Sequence, residues 1–465
     1  MALLLVAGTS ANRIAVLNSD IFYLPALFRD IREGTPLWWS LPPGPYFFPD
    51  WLLYALSGGF AAPLGVTFAV YGILLALLYL GGCAFLARTL GAPASRGVWV
   101  AALVIALATS TNSATATGWF LPTLHGGLAS LLPWMLAWLL RLPERSSFPR
   151  SFLGLVSLAT VVTLSDPLTL PQFLLPAAAV LAWSGRRTMA GVMVLVPIVG
   201  SIALRLLLLA GLGWVVPPGF ALTDLHQKLF RLSYWSMFFR GLAQFASEQP
   251  VLLAVGMGSL LVAYRTGRQH HELSARRPRE LVFFLLFLLL SISAVVAAGG
   301  LYSDSGNNRY FLPLLLLPPT ALLLTLRPWQ HVAISAAAMG TLLLRLSTVR
   351  TSSEMVATPY PDNVLCLDTL LREHGWSRGI STYWLAKHTS LLSRAGVSVL
   401  AVSPQLQPHF LIGNRHWYQR QPAQFALVND DEPAFRCNLT AGPSKEIGRC
   451  GLVSVYDLSP AAALP

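Results

Sequence analysis

The chain has 465 residues, 54% of them hydrophobic and only 11% charged, with a formal net charge of +12. A soluble globular chain carries about 25% charged residues, so this one lacks the polar material to coat a water-soluble body of its size. Nor does the basic excess point to nucleic acid, because the arginines gather in short loops between apolar blocks, as the positive-inside rule expects of cytoplasmic loops.

The blocks are long enough to cross a hydrocarbon core as helices, and the short alternating strands of a membrane barrel are absent. The composition therefore predicts an all-α polytopic membrane domain over residues 1–350 with about eleven spans, followed by a small soluble α/β domain over 351–465. The first span, Ala2–Leu17, is short. It lacks the basic start and cleavage site of a signal peptide, and its true start is expected upstream. The next five run Pro63–Ala87, Gly97–Ser110, Leu128–Leu140, Ser151–Leu164 and Leu168–Trp183. The last five run Met189–Leu212, Val251–Tyr264, Leu281–Ala298, Tyr310–Leu326 and Val332–Leu346.

Charge orients this stack. With the N-terminus inside, the inner loops hold Arg88 and Arg96, then Arg141, Arg145 and Arg150, then Arg186 and Arg187. Arg265, Arg268, Arg276, Arg277 and Arg279 follow, and then Arg327, which leaves the C-terminal tail outside. Arg345 and Arg350 run against this assignment. Lys228, Arg231 and Arg240 fall in a long outer loop, where the rule weakens.

The first outer loop spans residues 18–62. Leu24, Leu27, Phe28 and Ile31 recur at helical spacing opposite Arg29, Asp30, Arg32 and Glu33, which predicts an amphipathic helix lying along the membrane surface. The run from Trp38 to Asp50 that follows is rich in proline and aromatics, as suits an ordered loop at the headgroups.

Beyond Thr351 the apolar runs shrink to strand length. Asp362–His374 and Trp384–Arg394 read as helices, and Val397–Val402, Phe425–Val428 and Leu452–Tyr456 as strands. Cys437 and Cys450 are placed to close a short disulfide loop on the oxidising side, which leaves Cys366 free. The aromatic residues Tyr383, Trp384, Trp417 and Tyr418 suit either stacking on sugar or packing of the domain.

Charged groups at the ends of spans are costly and invite explanation. Asp20 follows the first span, and Asp166 separates two spans in Ser165-Asp166-Pro167. His125 lies in Leu124-His125-Gly126, and Asp304, Asn308, Arg309 and Tyr310 open a late span. All fall on the outer face. Each also has a plainer reading: Asp166 before proline is a good turn starter, Asp20 a helix cap, His125 a loop residue and Arg309 a headgroup anchor. Arg205, deeper in its span, either snorkels to the surface or lines a cavity. His270-His271-Glu272 sits in an arginine-rich inner loop, so no metal site is assigned to it.

An outward carboxylate can act as general base toward a hydroxyl or amine, while guanidinium and ammonium groups hold a lipid phosphate. At these residues the chain resembles the GT-C superfamily of polyprenol-phosphate-dependent membrane glycosyltransferases. The resemblance rests on Asp20 with its following surface helix, on the many-span body with an outward C-terminal domain, and on Asn308-Arg309-Tyr310-Phe311-Leu312-Pro313.

The resemblance implies a sugar donor on a polyprenyl phosphate, undecaprenyl in a bacterium, and a glycan, lipid or protein acceptor. It implies Asp20 as the catalytic carboxylate, with Asp166 the acid that folding can bring beside it, and Arg309 as a phosphate ligand. His125, Lys228, Arg231, Arg240, Asp304, Asn308 and Tyr310 are the further candidate binding residues. The expected place is the bacterial inner membrane, with the C-terminal domain periplasmic. Many members carry a second acid beside the first, whereas Ile21 follows Asp20, and an Asp-x-Asp pair is missing, so an inverting, metal-independent transfer without cofactor is expected. Two other classes compete: a transporter or flippase for lipid-linked precursors, and a non-catalytic envelope scaffold.

Overall fold

The computed structural model describes residues 19–110, 119–143, 148–215, 276–298, 310–325, 360–419, 422–442 and 444–458, with scattered positions between 235 and 340. Helices occupy eight of the predicted spans: α3 Leu64–Thr89, α4 Ala94–Ser110, α5 Gly126–Leu140, α6 Arg150–Ser165, α7 Leu175–Trp183, α8 Arg187–Leu212, α9 Arg276–Ala298 and α10 Leu312–Thr325. A π-helical turn, Leu170–Leu174, leads into α7. The spans expected at Ala2–Leu17 and Val251–Tyr264, and nearly all of Val332–Leu346, lie outside the described residues.

Among the described residues, α3 and α8, each of 26 residues, are long and apolar enough to cross a membrane; α5 and α6 are shorter apolar helices. These helices pack through Tyr79, Leu86, Leu132, Leu136, Phe152, Phe173, Phe284 and Leu316, all fully buried. Close approach of α3 and α4 needs a residue without a side chain at Gly97, where an added Cβ would meet the Cys83 carbonyl oxygen. The outer faces are apolar too: Leu195, Val199, Ile202 and Leu206 of α8 and Leu286 and Leu290 of α9 are exposed. An apolar surface on that scale is stable against hydrocarbon, not water.

The first outer loop is folded, not draped. Helix α1, Tyr23–Arg32, buries Leu24, Leu27 and Phe28 as its spacing predicts, while Ile31, expected on the same face, is exposed in its last turn. The expectation that its polar face lies open is corrected, because Asp30 is only 1% exposed. Asp30 accepts hydrogen bonds from Trp39 Nε1 (3.1 Å), Asn414 Nδ2 (2.7 Å) and Trp417 Nε1 (3.1 Å). The C-terminal domain supplies two of these three donors, so it is packed over the helix. A short antiparallel ladder pairs β1, Trp39–Ser40, with β4, Gly413–Asn414. Helix α2, Leu52–Leu56, ends the loop.

In the C-terminal domain a five-stranded sheet has the order β3-β2-β5-β7-β6, formed by Arg378–Ser381 (β2), Ser398–Ala401 (β3), Phe425–Asn429 (β5), Lys445–Cys450 (β6) and Val453–Asp457 (β7). The first three strands are parallel, and β7 and β6 run antiparallel to their neighbours. Alternation along β5 sends Phe425 and Leu427 to one face, against α11 (Asp362–Glu373) and α12 (Tyr383–Leu392), and Ala426 and Val428 to the other, against α13 (Pro433–Thr440).

That two-sided packing overturns the expected disulfide. Cys366 of α11 bonds Cys450 at the end of β6, with Cα atoms 5.6 Å apart, while Cys437 on α13 is exposed and free. Cys437 is near Cys450 in sequence, but its helix covers the opposite face of the sheet.

Candidate active site

The site is assembled where the first outer loop crosses the end of α6. The loop is stitched there: Tyr46 N–H donates to the Ser165 carbonyl (2.9 Å) and Phe48 N–H to Ser165 Oγ (2.6 Å). Asp166 then does two things at once. Its Oδ1 accepts from Leu168 N–H (3.0 Å), the turn-forming role that Asp before Pro suggests, and its Oδ2 lies 2.6 Å from His125 Nδ1. A carboxylate at that distance fixes Nδ1 as the protonated nitrogen and leaves Nε2 toward Tyr46 Oη, 3.5 Å away. The Tyr310 ring lies against the imidazole, with centroids 5.5 Å apart. His125 is 8% and Asp166 3% exposed, so this hydrogen-bonded pair is shielded from water.

A cavity of about 260 Å³ opens beside the pair. Asp20, Tyr23, Pro42, Pro43, Gly44, Tyr46, Thr123, His125, Asp166, Pro167, Leu168, Tyr310 and Ile412 line it. Asp20 is held by both parts of the chain: Thr123 Oγ1 donates to its backbone carbonyl (2.6 Å), and Tyr383 Oη of α12 donates to its Oδ1 (2.5 Å). Among the described residues five non-glycine positions take positive φ, and four of these, Tyr46, Thr123, His125 and Ile412, line this cavity. Such conformations cost about 1–3 kcal/mol each and persist where surrounding structure imposes them, commonly at functional sites.

A third carboxylate, Asp50, sits behind the pair at the start of α2. It is 2% exposed and accepts a hydrogen bond from Tyr71 Oη (2.6 Å). Burial pushes its pKa up to about 6, the nearby Asp166 charge adds to this, and the Tyr71 bond and His125 oppose it. Gly127 permits this placement, since a Cβ there would overlap Asp50 Oδ2. Arg205 Nη2 donates to the carbonyl of Pro43, a residue of the cavity wall (3.0 Å), and lies within electrostatic reach of Asp166, but it does not itself line the cavity.

Of the sequence-predicted residues, Asp20, His125, Asp166 and Tyr310 meet at one cavity. Arg240 does not: it is exposed and its guanidinium lies on Ser236. Lys228, Arg231, Asp304, Asn308 and Arg309 lie outside the described residues. Sequence reasoning missed Tyr46, Thr123 and Asp50. The signal for Asp50 was present, a lone carboxylate in an aromatic and proline-rich run, but reading that run as a headgroup loop hid it.

A helical body with an acid-lined cavity under residues 18–62, capped by a small mixed-sheet domain, is the fold that the resemblance implied. Among solved structures the chain is similar to ArnT from Cupriavidus metallidurans, in a crystal structure bound to undecaprenyl phosphate. The TM-score is 0.57 at 13% sequence identity, over 99% of this chain and 97% of that one, a likeness that establishes the fold. No protein-family model and no curated protein matches the sequence.

Proposed function

We propose that the protein is a membrane glycosyltransferase that moves a sugar from a polyprenyl-phosphate donor to an envelope acceptor at the outer face of the inner membrane. The observation that carries this reading is the convergence of Asp20 and the His125–Asp166 pair on one cavity whose walls hold strained backbone. The fold adds weight, because its solved neighbour binds undecaprenyl phosphate.

In the reaction, Asp20 accepts the proton of the attacking hydroxyl or amine as that atom bonds to the anomeric carbon. The bond from that carbon to phosphate breaks at the same time, and the polyprenyl phosphate leaves with the electron pair. Attack opposite the leaving group inverts the centre, and no metal or cofactor enters. His125, anchored at Nδ1 by Asp166, directs Nε2 to the cavity and can donate to the departing phosphate oxygen when protonated. Lys228, Arg231 and Arg309 are proposed to hold the phosphate charge.

The test compares envelope glycans by mass spectrometry in a gene deletion complemented with wild type or Asp20→Asn at matched membrane levels. A specific sugar mass that disappears on deletion and returns only with wild type supports the transferase. Full restoration by Asp20→Asn refutes the catalytic assignment and moves a transport or scaffold role ahead.

A further inference from the structure

We infer that the C-terminal domain is a working part of the active site, with Tyr383 the positioning residue that orients Asp20 and Lys387 the group that fixes Tyr383. This inference rests on the transferase reading and extends it to a domain more than 340 residues away in sequence.

The geometry is specific. Asp20 lies three residues before α1, in a turn outside any described helix or strand. Its carboxylate takes a hydrogen bond from the Tyr383 phenol at 2.5 Å. Neighbouring contacts tie the same two segments: Ser19 Oγ lies 2.6 Å from the Tyr383 carbonyl oxygen and 2.7 Å from that of Trp384. Tyr383 is itself 8% exposed and packs with Ile412, a cavity-lining residue, in the cluster built on α1.

Lys387 lies one helical turn further along α12. Its Nζ sits 4.3 Å from the centroid of the Tyr383 ring and donates to the Ile412 carbonyl (2.9 Å). It therefore braces both Tyr383 and Ile412, the residue of the domain that lines the cavity. Burial lowers its pKa to about 7, and the Asp20 charge opposes that shift. A residue that only glued the domain down would have no need to address a carboxylate at the reacting end of the site. The Asp30 cluster already performs the docking.

Donation from the Tyr383 phenol to Asp20 Oδ1 lowers the freedom of the carboxylate about its side-chain bonds, so that it is presented to the acceptor in one orientation. Misplacement of a reacting group by about 1 Å costs on the order of a hundredfold in rate, so loss of the phenol is expected to be large without altering binding of the lipid.

The test uses membrane vesicles containing the full-length chain, wild type, Tyr383→Phe, Lys387→Met, Asp20→Asn and the double variant Asp20→Asn/Tyr383→Phe. Initial rates of the glycan decoration are read against added lipid extract from wild-type membranes. Tyr383→Phe is expected to lower the maximal rate at least tenfold with the half-saturating amount of extract unchanged, and Lys387→Met to lower it less, in the same direction. The double variant is expected to be no slower than Asp20→Asn alone, because the phenol acts through that carboxylate. A wild-type rate in Tyr383→Phe, or a rise in half-saturation that accounts for the loss, overturns the positioning role. Inactive Asp20→Asn beside fully active Tyr383→Phe overturns it while leaving the transferase reading in place. An active Asp20→Asn, or a decoration that does not depend on the gene, overturns both.

Discussion

Replacing Cys366 by Ser opens the one disulfide found among the described residues, and the cost follows from the length of chain it closes. Cys366 and Cys450 are 84 residues apart. On the chain-entropy scale a loop of that length is worth about 4.5 kcal/mol, whereas the far shorter loop from Cys437 to Cys450 would be worth about 3 kcal/mol. The structure also buries Cys450 against Leu367 and Leu371, so loss of the bond removes a staple between α11 and the edge strand β6. Unfolding of the purified full-length chain is expected to show Cys366→Ser and Cys450→Ser destabilised alike, by about 2–5 kcal/mol, and Cys437→Ser within about 0.5 kcal/mol of wild type.

The same pairing reports on the compartment. In intact cells lysed into denaturant with a thiol label, Cys83 and Cys437 are expected to react at once, and Cys366 and Cys450 only after reduction, the outcome that the proposed placement of the domain on the oxidising side requires. Labelling of Cys450 without reduction would refute the pairing.

Two further outcomes follow from buried carboxylates. Truncating Asp30→Ala leaves the Trp39, Asn414 and Trp417 donors without their acceptor, at about 1–3 kcal/mol each, and limited proteolysis should then cut the C-terminal domain away faster than in wild type; an unchanged cleavage rate would show that the ladder of β1 and β4 suffices to dock it. For Asp50 the folded value of about 6 lies above the ordinary 3.8, so its ionised form is penalised at pH 7 by about 3 kcal/mol. That penalty shrinks as pH falls through 6 and is gone below 3.8, where both states are protonated. Asp50→Asn keeps an acceptor for Tyr71 and abolishes the titration. The stability of Asp50→Asn relative to wild type is therefore expected to drop by about 2 kcal/mol between pH 7 and pH 4.5 in thermal or denaturant unfolding, and a pH-independent difference would rule out the cause given for the shift.

Composition and periodicity alone determined the membrane body, because a lipid-spanning helix writes its length and apolarity directly into the chain. Eight helices at predicted spans, two of them long and apolar enough to cross a membrane, were legible for that reason, and the spacing of apolar residues showed α1 and the strands at Val399, Phe425 and Val455. So were Asp20, His125, Asp166 and Tyr310, because a charged or polar group beside an apolar run stands out whatever the fold. Tertiary structure decided which of these residues meet, and in what geometry. Asp166 and His125 lie 41 residues apart, and no local rule joins them. The disulfide followed the two faces of a sheet, not distance along the chain. Asp30 looked like a solvent-facing charge on an amphipathic helix until a distant domain supplied its partners. The same domain brought Tyr383 to Asp20, a contact between segments that only folding makes neighbours.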